Sequence, residues 1–235
     1  SSDLAGALIT LQLPEPEPAE PLPENIPLVI IYEDDELIVI DKPAGVLVVA
    51  APGKSGPTLL DLVSAQQGYR VQPVHRIDEG TTGALVVVKT DAARVAMEDL
   101  FRTHSVERHY LALVTGTPSP AAGIIQSQLD ENGDVVRVVQ RGGRTAITRY
   151  ETLARRGRFC LVQCQLETGR RNQIRAHMQA LGCPLAGDRK YGFRVRAGES
   201  FPRPMLHSFR LAFRHPLLET DVRVESAAPE AVLRP

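Results

Sequence analysis

The side chains best suited to chemistry stand in one polar run, His75-Arg76-Ile77-Asp78-Glu79-Gly80-Thr81-Thr82-Gly83. This run passes directly into the apolar stretch Ala84-Leu85-Val86-Val87-Val88-Lys89. A loop that feeds a buried strand can fix a reactive group on a rigid support and still leave it open to substrate. Asp78 is the candidate for that group, with Arg76 beside it. The same composition also suits an ordinary turn closed by side-chain hydrogen bonds, so the run alone leaves both readings open.

Such a loop needs a scaffold, and the sequence predicts one. Two β-branched runs, 28–33 and 37–42, flank Asp34-Asp35-Glu36 as a hairpin, and Pro43-Ala44-Gly45 then breaks the chain. Pro57 and Thr58 open a helical pattern with Leu59, Leu62 and Val63 on one side. Thr90-Asp91 opens a second that runs to about His104, with Val95, Leu100 and Phe101 placed to cover a sheet face. Strand-like segments follow at 107–115, 122–129, 135–139, 144–154 and 158–168, punctuated by glycine, proline and Asn132-Gly133. Residues 172–182 read as a helix and 206–213 as a late strand; Tyr150 and Tyr191 read as half-buried strand tyrosines. Hairpins outnumber crossovers, which predicts an α+β fold on a mixed, largely antiparallel sheet with flanking helices.

A length of 235 residues with 43% hydrophobic content is enough for a substantial core. Residues 1–26 are rich in proline and glutamate and read as an acidic extension or linker, with the folded unit over 27–235. The sequence shows no spanning apolar run and no signal-peptide layout, so a soluble, cytoplasmic protein is expected. Cys160, Cys164 and Cys183 lack a second ligand pair, which predicts buried thiols in a reducing compartment and no metal site.

The net charge of −1 conceals a division along the chain. Residues 1–36 hold nine acidic side chains and no lysine or arginine, whereas residues 137–215 hold seventeen basic against four acidic, sixteen of them arginine. A polyanion feels that local field, and arginine both bonds phosphate in bidentate fashion and stacks on bases. RNA is therefore a natural partner for the second half of the chain.

The Asp78 run resembles the His-Arg-Leu-Asp-x-x-Thr-Ser-Gly stretch of the RluA-type pseudouridine synthases, which isomerise uridine in structured RNA; Ile77 replaces Leu and Thr82 replaces Ser. Further stretches match the same family in order: 41–46, 108–116, 168–177, 187–192, and 203–208 with His215-Pro216. The resemblance covers the chain from about residue 28 onward. It implies the pseudouridine synthase catalytic fold, RNA as partner and no cofactor, since the reaction needs neither a redox step nor a group donor; nothing in the sequence demands more than a monomer. A small S4-type domain often precedes the linker in this family, so residues 1–13 are a candidate remnant of one.

The resemblance also assigns roles. Asp78 would be the essential carboxylate, either attacking C1′ of the ribose or removing a sugar proton to give a glycal; the sequence leaves both open. It must be ionised, which requires a cation beside it, and Arg175 occupies the pairing position. Tyr110 would stack on the target base and help remove the C5 proton. Arg76 would fill the space left when the uridine is flipped from its stack. Arg170 is a further substrate-binding candidate, as is His75, though His75 suits a structural hydrogen bond better than proton transfer. Leu185 is the candidate apolar wall of the pocket. One departure stands at Asn172, where the family usually has histidine; asparagine keeps a hydrogen bond but cannot carry a charge.

Within this chemistry, large-subunit ribosomal RNA is the favoured substrate and transfer RNA the alternative. A non-catalytic RNA-binding or ribosome-assembly factor would be expected to have lost Asp78, Tyr110 or Arg175, and all three are present. A kinase reading of His-Arg-x-Asp lacks a glycine-rich loop and Asp-Phe-Gly; a hydrolase reading lacks a Gly-x-Ser-x-Gly elbow and a second suitable carboxylate.

Overall fold

Strands β1 (Val29–Glu33) and β2 (Leu37–Lys42) form the predicted hairpin in the computed structural model, which describes residues 28–233. The expectations for the acidic extension and the S4 remnant lie outside the described residues. Asp34 closes the hairpin by accepting hydrogen bonds from the backbone N–H groups of Glu36 and Leu37 at 2.8 and 2.9 Å. Helix α1 (Leu59–Gln67) starts at a capping box in which Thr58 and Asp61 satisfy each other's backbone N–H, and it stops at Gly68 in the left-handed conformation. After the two-residue strand β3 (Gln72–Pro73) and the Asp78 loop comes β4 (Thr82–Val88), buried along its whole length. Helix α2 (Asp91–Arg102) begins at Thr90, whose hydroxyl accepts from Ala93 N–H.

The remaining elements are β5 (Glu107–Thr115), β6 (Ala122–Asp130), β7 (Arg137–Val139), β8 (Arg144–Arg156), β9 (Phe159–Leu166), α3 (Gln173–Ala180), a 3₁₀ turn (Arg189–Tyr191), β10 (Leu206–Arg214), β11 (Asp221–Glu225) and α4 (Glu230–Leu233). All strands join one sheet in the order β1-β2-β4-β10-β5-β9-β8-β6-β7, with β3 on β4 and β11 on β10. Among the described residues only β4 and β10 pair in parallel, so the sheet is mixed and largely antiparallel and the fold is α+β.

The two largest apolar cores lie on opposite faces, and strand alternation sorts the residues between them. Ile38, Ile40, Leu85 and Val87 face α1 and α3, whereas Leu37, Val39, Ala84, Val86 and Val88 pack with α2 and β11. Cys160, Cys164 and Cys183 are unlinked and buried in the first core. The close approach of β4 and β10 requires Gly83: its φ is +105°, and a Cβ there would stand 2.2 Å from the Ser208 carbonyl oxygen.

Three expectations are corrected. Val95 is 60% exposed and covers no sheet face; α2 instead buries Ala93 and Met97, with Leu100 and Phe101 packed beside them. Tyr191 belongs to the 3₁₀ turn and is buried, and Tyr150, though on β8, is buried in the first core rather than half-buried. Strand β11 was not predicted. Among the described residues no helix is long and apolar enough to cross a membrane.

Candidate active site

The backbone of the Asp78 loop is tied down on two sides. The Nζ of Lys42, at the end of β2, donates to the carbonyls of Pro43, Val46 and Glu79 at 2.8, 2.7 and 3.1 Å. Arg203 donates from the other side to the carbonyl of Gly80 at 2.9 Å and also binds Pro204 and Leu206. Within the loop, Thr81 N–H reaches Asp78 O at 2.9 Å and closes a turn. Burial, with a smaller contribution from Arg203, pushes the Lys42 ammonium down to about 8 despite Asp78 and Glu79 nearby. His75 supports the loop from below: its Nε2 accepts from Val86 N–H at 3.0 Å and its ring stacks on Phe101. Burial and the Arg108 charge push the imidazole down to about 3, so it is neutral at ordinary pH.

Helix α3 brings Arg175 to Asp78. Arg175 Nη1 lies 3.3 Å from Asp78 Oδ2 and donates to Asn172 Oδ1 at 2.9 Å. Its other edge is held by Asp188, and its guanidinium sits 4.7 Å from the Tyr191 ring centroid. Burial opposes the Arg175 charge, but Asp188 and then Asp78 more than offset it and raise its pKa. Asn172 precedes α3 in the left-handed conformation, φ 51°. Asparagine tolerates that backbone better than most residues, and its side chain also supports Arg175. The helix itself is anchored to β8. Gln173 donates to Ile147 O and Thr148 Oγ1 at 2.9 Å each, and buried His177 bonds the hydroxyls of Thr148 and Ser127.

These elements enclose a cavity of about 620 Å³, within the range that holds a small-molecule-sized group. Asp78, Tyr110, Arg175, His75, Arg76 and Arg170 all line it. Tyr110, on β5 between Ser208 of β10 and Cys164 of β9, is buried. Burial raises its pKa and the nearby Asp78 charge adds to this, against Arg108 and Ser208. Arg76 is exposed at the mouth, and Arg102, Arg144 and Arg171 extend the positive rim. Glu131 interrupts this rim, accepting from Arg171 N–H at 2.9 Å and Arg144 Nη1 at 3.3 Å. Arg170 lies on the same side, its Nε donating to Thr145 O at 3.0 Å.

Leu185 is not brought to the cavity. It is fully buried in the first core and bridges to Val114, while Ile77, Leu166, Ile174 and Leu206 supply the apolar wall. The sequence reading gave no role to Lys42, Asp188 or Arg203, although each stands in a matched stretch. A lysine at the end of an apolar strand was the available signal for the first. For Asp188 and Arg203 only the motifs marked the place, and their partners are distant in sequence.

Residues 36–180 match the family model described as RNA pseudouridylate synthase. An uncharacterized RNA pseudouridine synthase of Bacillus subtilis (strain 168) is 39% identical, over 96% of this chain and 77% of that protein. A ribosomal large subunit pseudouridine synthase D of Zymomonas mobilis subsp. mobilis is 36% identical, over 94% of this chain and 75% of its own length. Among solved structures, human RNA pseudouridylate synthase domain containing 1 superposes with a TM-score of 0.74 at 25% identity, covering 86% of this chain and 84% of that one. Human RNA pseudouridylate synthase domain containing 4 superposes with a TM-score of 0.71 at 26% identity, covering 87% and 90%.

Proposed function

The chain belongs to the RNA pseudouridylate synthase family, isomerases that turn uridine in RNA into pseudouridine, and on that premise we propose that Asp78 carries the chemistry on large-subunit ribosomal RNA. The observation that carries the assignment is the convergence of Asp78, Arg175 and Tyr110 on one cavity from three distant parts of the chain.

The reaction breaks the C1′–N1 bond, turns the base, joins C5 to C1′ and removes the C5 proton. Asp78 acts at the sugar, as nucleophile or as base, and Arg175, 3.3 Å away, pairs with it and aims it. Tyr110 is a neutral phenol at ordinary pH because burial raises its pKa, which suits it first to stacking on the base. A uridine in a structured RNA must leave its stack to enter the cavity, and exposed Arg76 fills the gap while the arginine rim holds phosphates. The enzyme works as a cytoplasmic monomer. Ribosomal RNA is favoured because the relative from Zymomonas mobilis carries that substrate in its name.

Tritium release from ribosomal RNA labelled at uridine C5 tests this, comparing wild type with Asp78→Asn. Release by the wild type alone, with RNA binding and fold retained in the variant, is the expected result. Turnover by Asp78→Asn would move the chemistry elsewhere, and release only from transfer RNA would change the substrate.

A further inference from the structure

Arg108 stands two residues before Tyr110 on β5, on the same face of the strand, and lines the same cavity. It is 6% exposed. Among the described residues its Nε is buried with no hydrogen-bond partner, and its side chain makes one hydrogen bond, a long one, 3.5 Å from Nη2 to the Glu167 carbonyl. Among the described residues no carboxylate forms an ion pair with it. The Phe101 ring lies 5.8 Å away, and Gly169 leaves the guanidinium room: a Cβ there would stand 2.5 Å from Nη1. A buried cation with unused donors is costly unless something else satisfies it.

The rim arginines suit phosphate, which stays solvated at the cavity mouth. Arg108 lies deeper, and the charges acting on Tyr110 are Arg108 and Asp78. Arg108, Tyr110 and the proposed reacting carboxylate of Asp78 thus share one cavity. We propose that Arg108 is a catalytic residue that binds the uracil ring at O2 or O4 and stabilises it as an anion when the C1′–N1 bond breaks. This rests on the uridine-isomerase reading above. The bond pair leaves with N1 and spreads over O2 and O4. C1′ is satisfied by the Asp78 carboxylate, or Asp78 takes a sugar proton as the glycal forms. The base departs as an anion on either route. Arg108 keeps its protons throughout, and the negative ring stays held until C5 attacks C1′, either displacing the Asp78 carboxylate from its ester bond or adding to the glycal as Asp78 returns the sugar proton; C5 then loses its proton and N1 gains one.

A leaving-group test separates this role from a structural one. Fluorine at C5 makes the departing uracil anion more stable, so it needs Arg108 less. Single-turnover glycosidic cleavage is followed by nuclease digestion and nucleoside chromatography, on RNA made with uridine or with 5-fluorouridine. Arg108→Met is expected to slow the uridine RNA about 100-fold and the 5-fluorouridine RNA only about 10-fold. Its RNA affinity and the salt dependence of that affinity should match wild type. An equal slowing of both RNAs overturns the proposal, as does weaker binding with a shallower salt dependence, which would make Arg108 a phosphate ligand. If Arg108→Met fails to fold, the same ratio is read on Arg108→Lys, where equal effects are again fatal. A wild type that converts neither RNA overturns the underlying reading and the proposal with it.

Discussion

Arg175 gives Asp188 two hydrogen bonds, at 2.6 and 2.9 Å, and reaches Asp78 with one at 3.3 Å. Asp188 is 1% exposed, whereas the Asp78 side chain is 27% exposed. The bidentate pair fixes the guanidinium plane, and the looser contact leaves the Asp78 carboxylate open to the cavity.

Asp188→Asn should therefore disturb both fold and chemistry. It keeps the size of the side chain but leaves the buried guanidinium short of its main counter-charge. Breaking such a pair costs about 3 kcal/mol, and a misaimed Arg175 should slow single-turnover conversion by about 100-fold. Urea unfolding and the tritium assay read the two effects. Wild-type values in both would mean that Asn172, Tyr191 and Asp78 suffice to hold Arg175.

Acid should loosen the anchor of α3. His177 is fully buried, and burial pushes its imidazole down to about 4, against 6.5 in an unfolded chain. Between those values the unfolded chain binds more protons than the folded one, so stability rises with pH across the window. The contribution is complete above pH 6.5 and is lost as pH falls to 4, at most about 3 kcal/mol. His75, pushed to about 3, acts in the same direction. Urea midpoints at about pH 6.5 and about pH 4.5 check the sign. His177→Gln should narrow the gap between them, and an unchanged gap would show that the folded protein carries His177 charged.

RNA affinity should fall steeply with salt despite the near-neutral total charge, because the rim arginines displace counterions from phosphates. Replacing Arg102, whose side chain is 73% exposed, with alanine should reduce the slope of log K against log salt by about 1 and weaken all RNAs alike. Filter binding over a salt series gives the slope; a flat wild-type profile would remove the electrostatic argument.

How much of this was legible in the sequence depended on how far each partner lies along the chain. Asp78, Tyr110 and Arg175 stand in contiguous stretches whose residue types carry their own meaning. The hairpin, α1 and α2 announced themselves through β-branched runs and caps. Val95 was misplaced because the buried stripe of α2 runs through Ala93, Met97 and Leu100, the i, i+4, i+7 spacing, which Val95 does not share. Strand β11 had a readable period-2 pattern, with Val222 and Val224 buried between exposed charges. Its shortness and high charge hid it. Leu185 sits in an irregular segment, where no period tells inward from outward, and the grip of Asp188 on Arg175 depends on how α3 and the 3₁₀ turn meet in space.

The two ties on the Asp78 loop come from very different times in the life of the chain. Lys42 reaches the Glu79 carbonyl across 37 residues, while Arg203 reaches the neighbouring Gly80 carbonyl across 123. During synthesis the first tie can form early. The second must wait until β10 and the segment before it have emerged and docked, a late, long-range closure. The reactive loop is thus a seam joining the early strands to the segment ahead of β10, and its backbone is held on both sides only once that distant segment has docked.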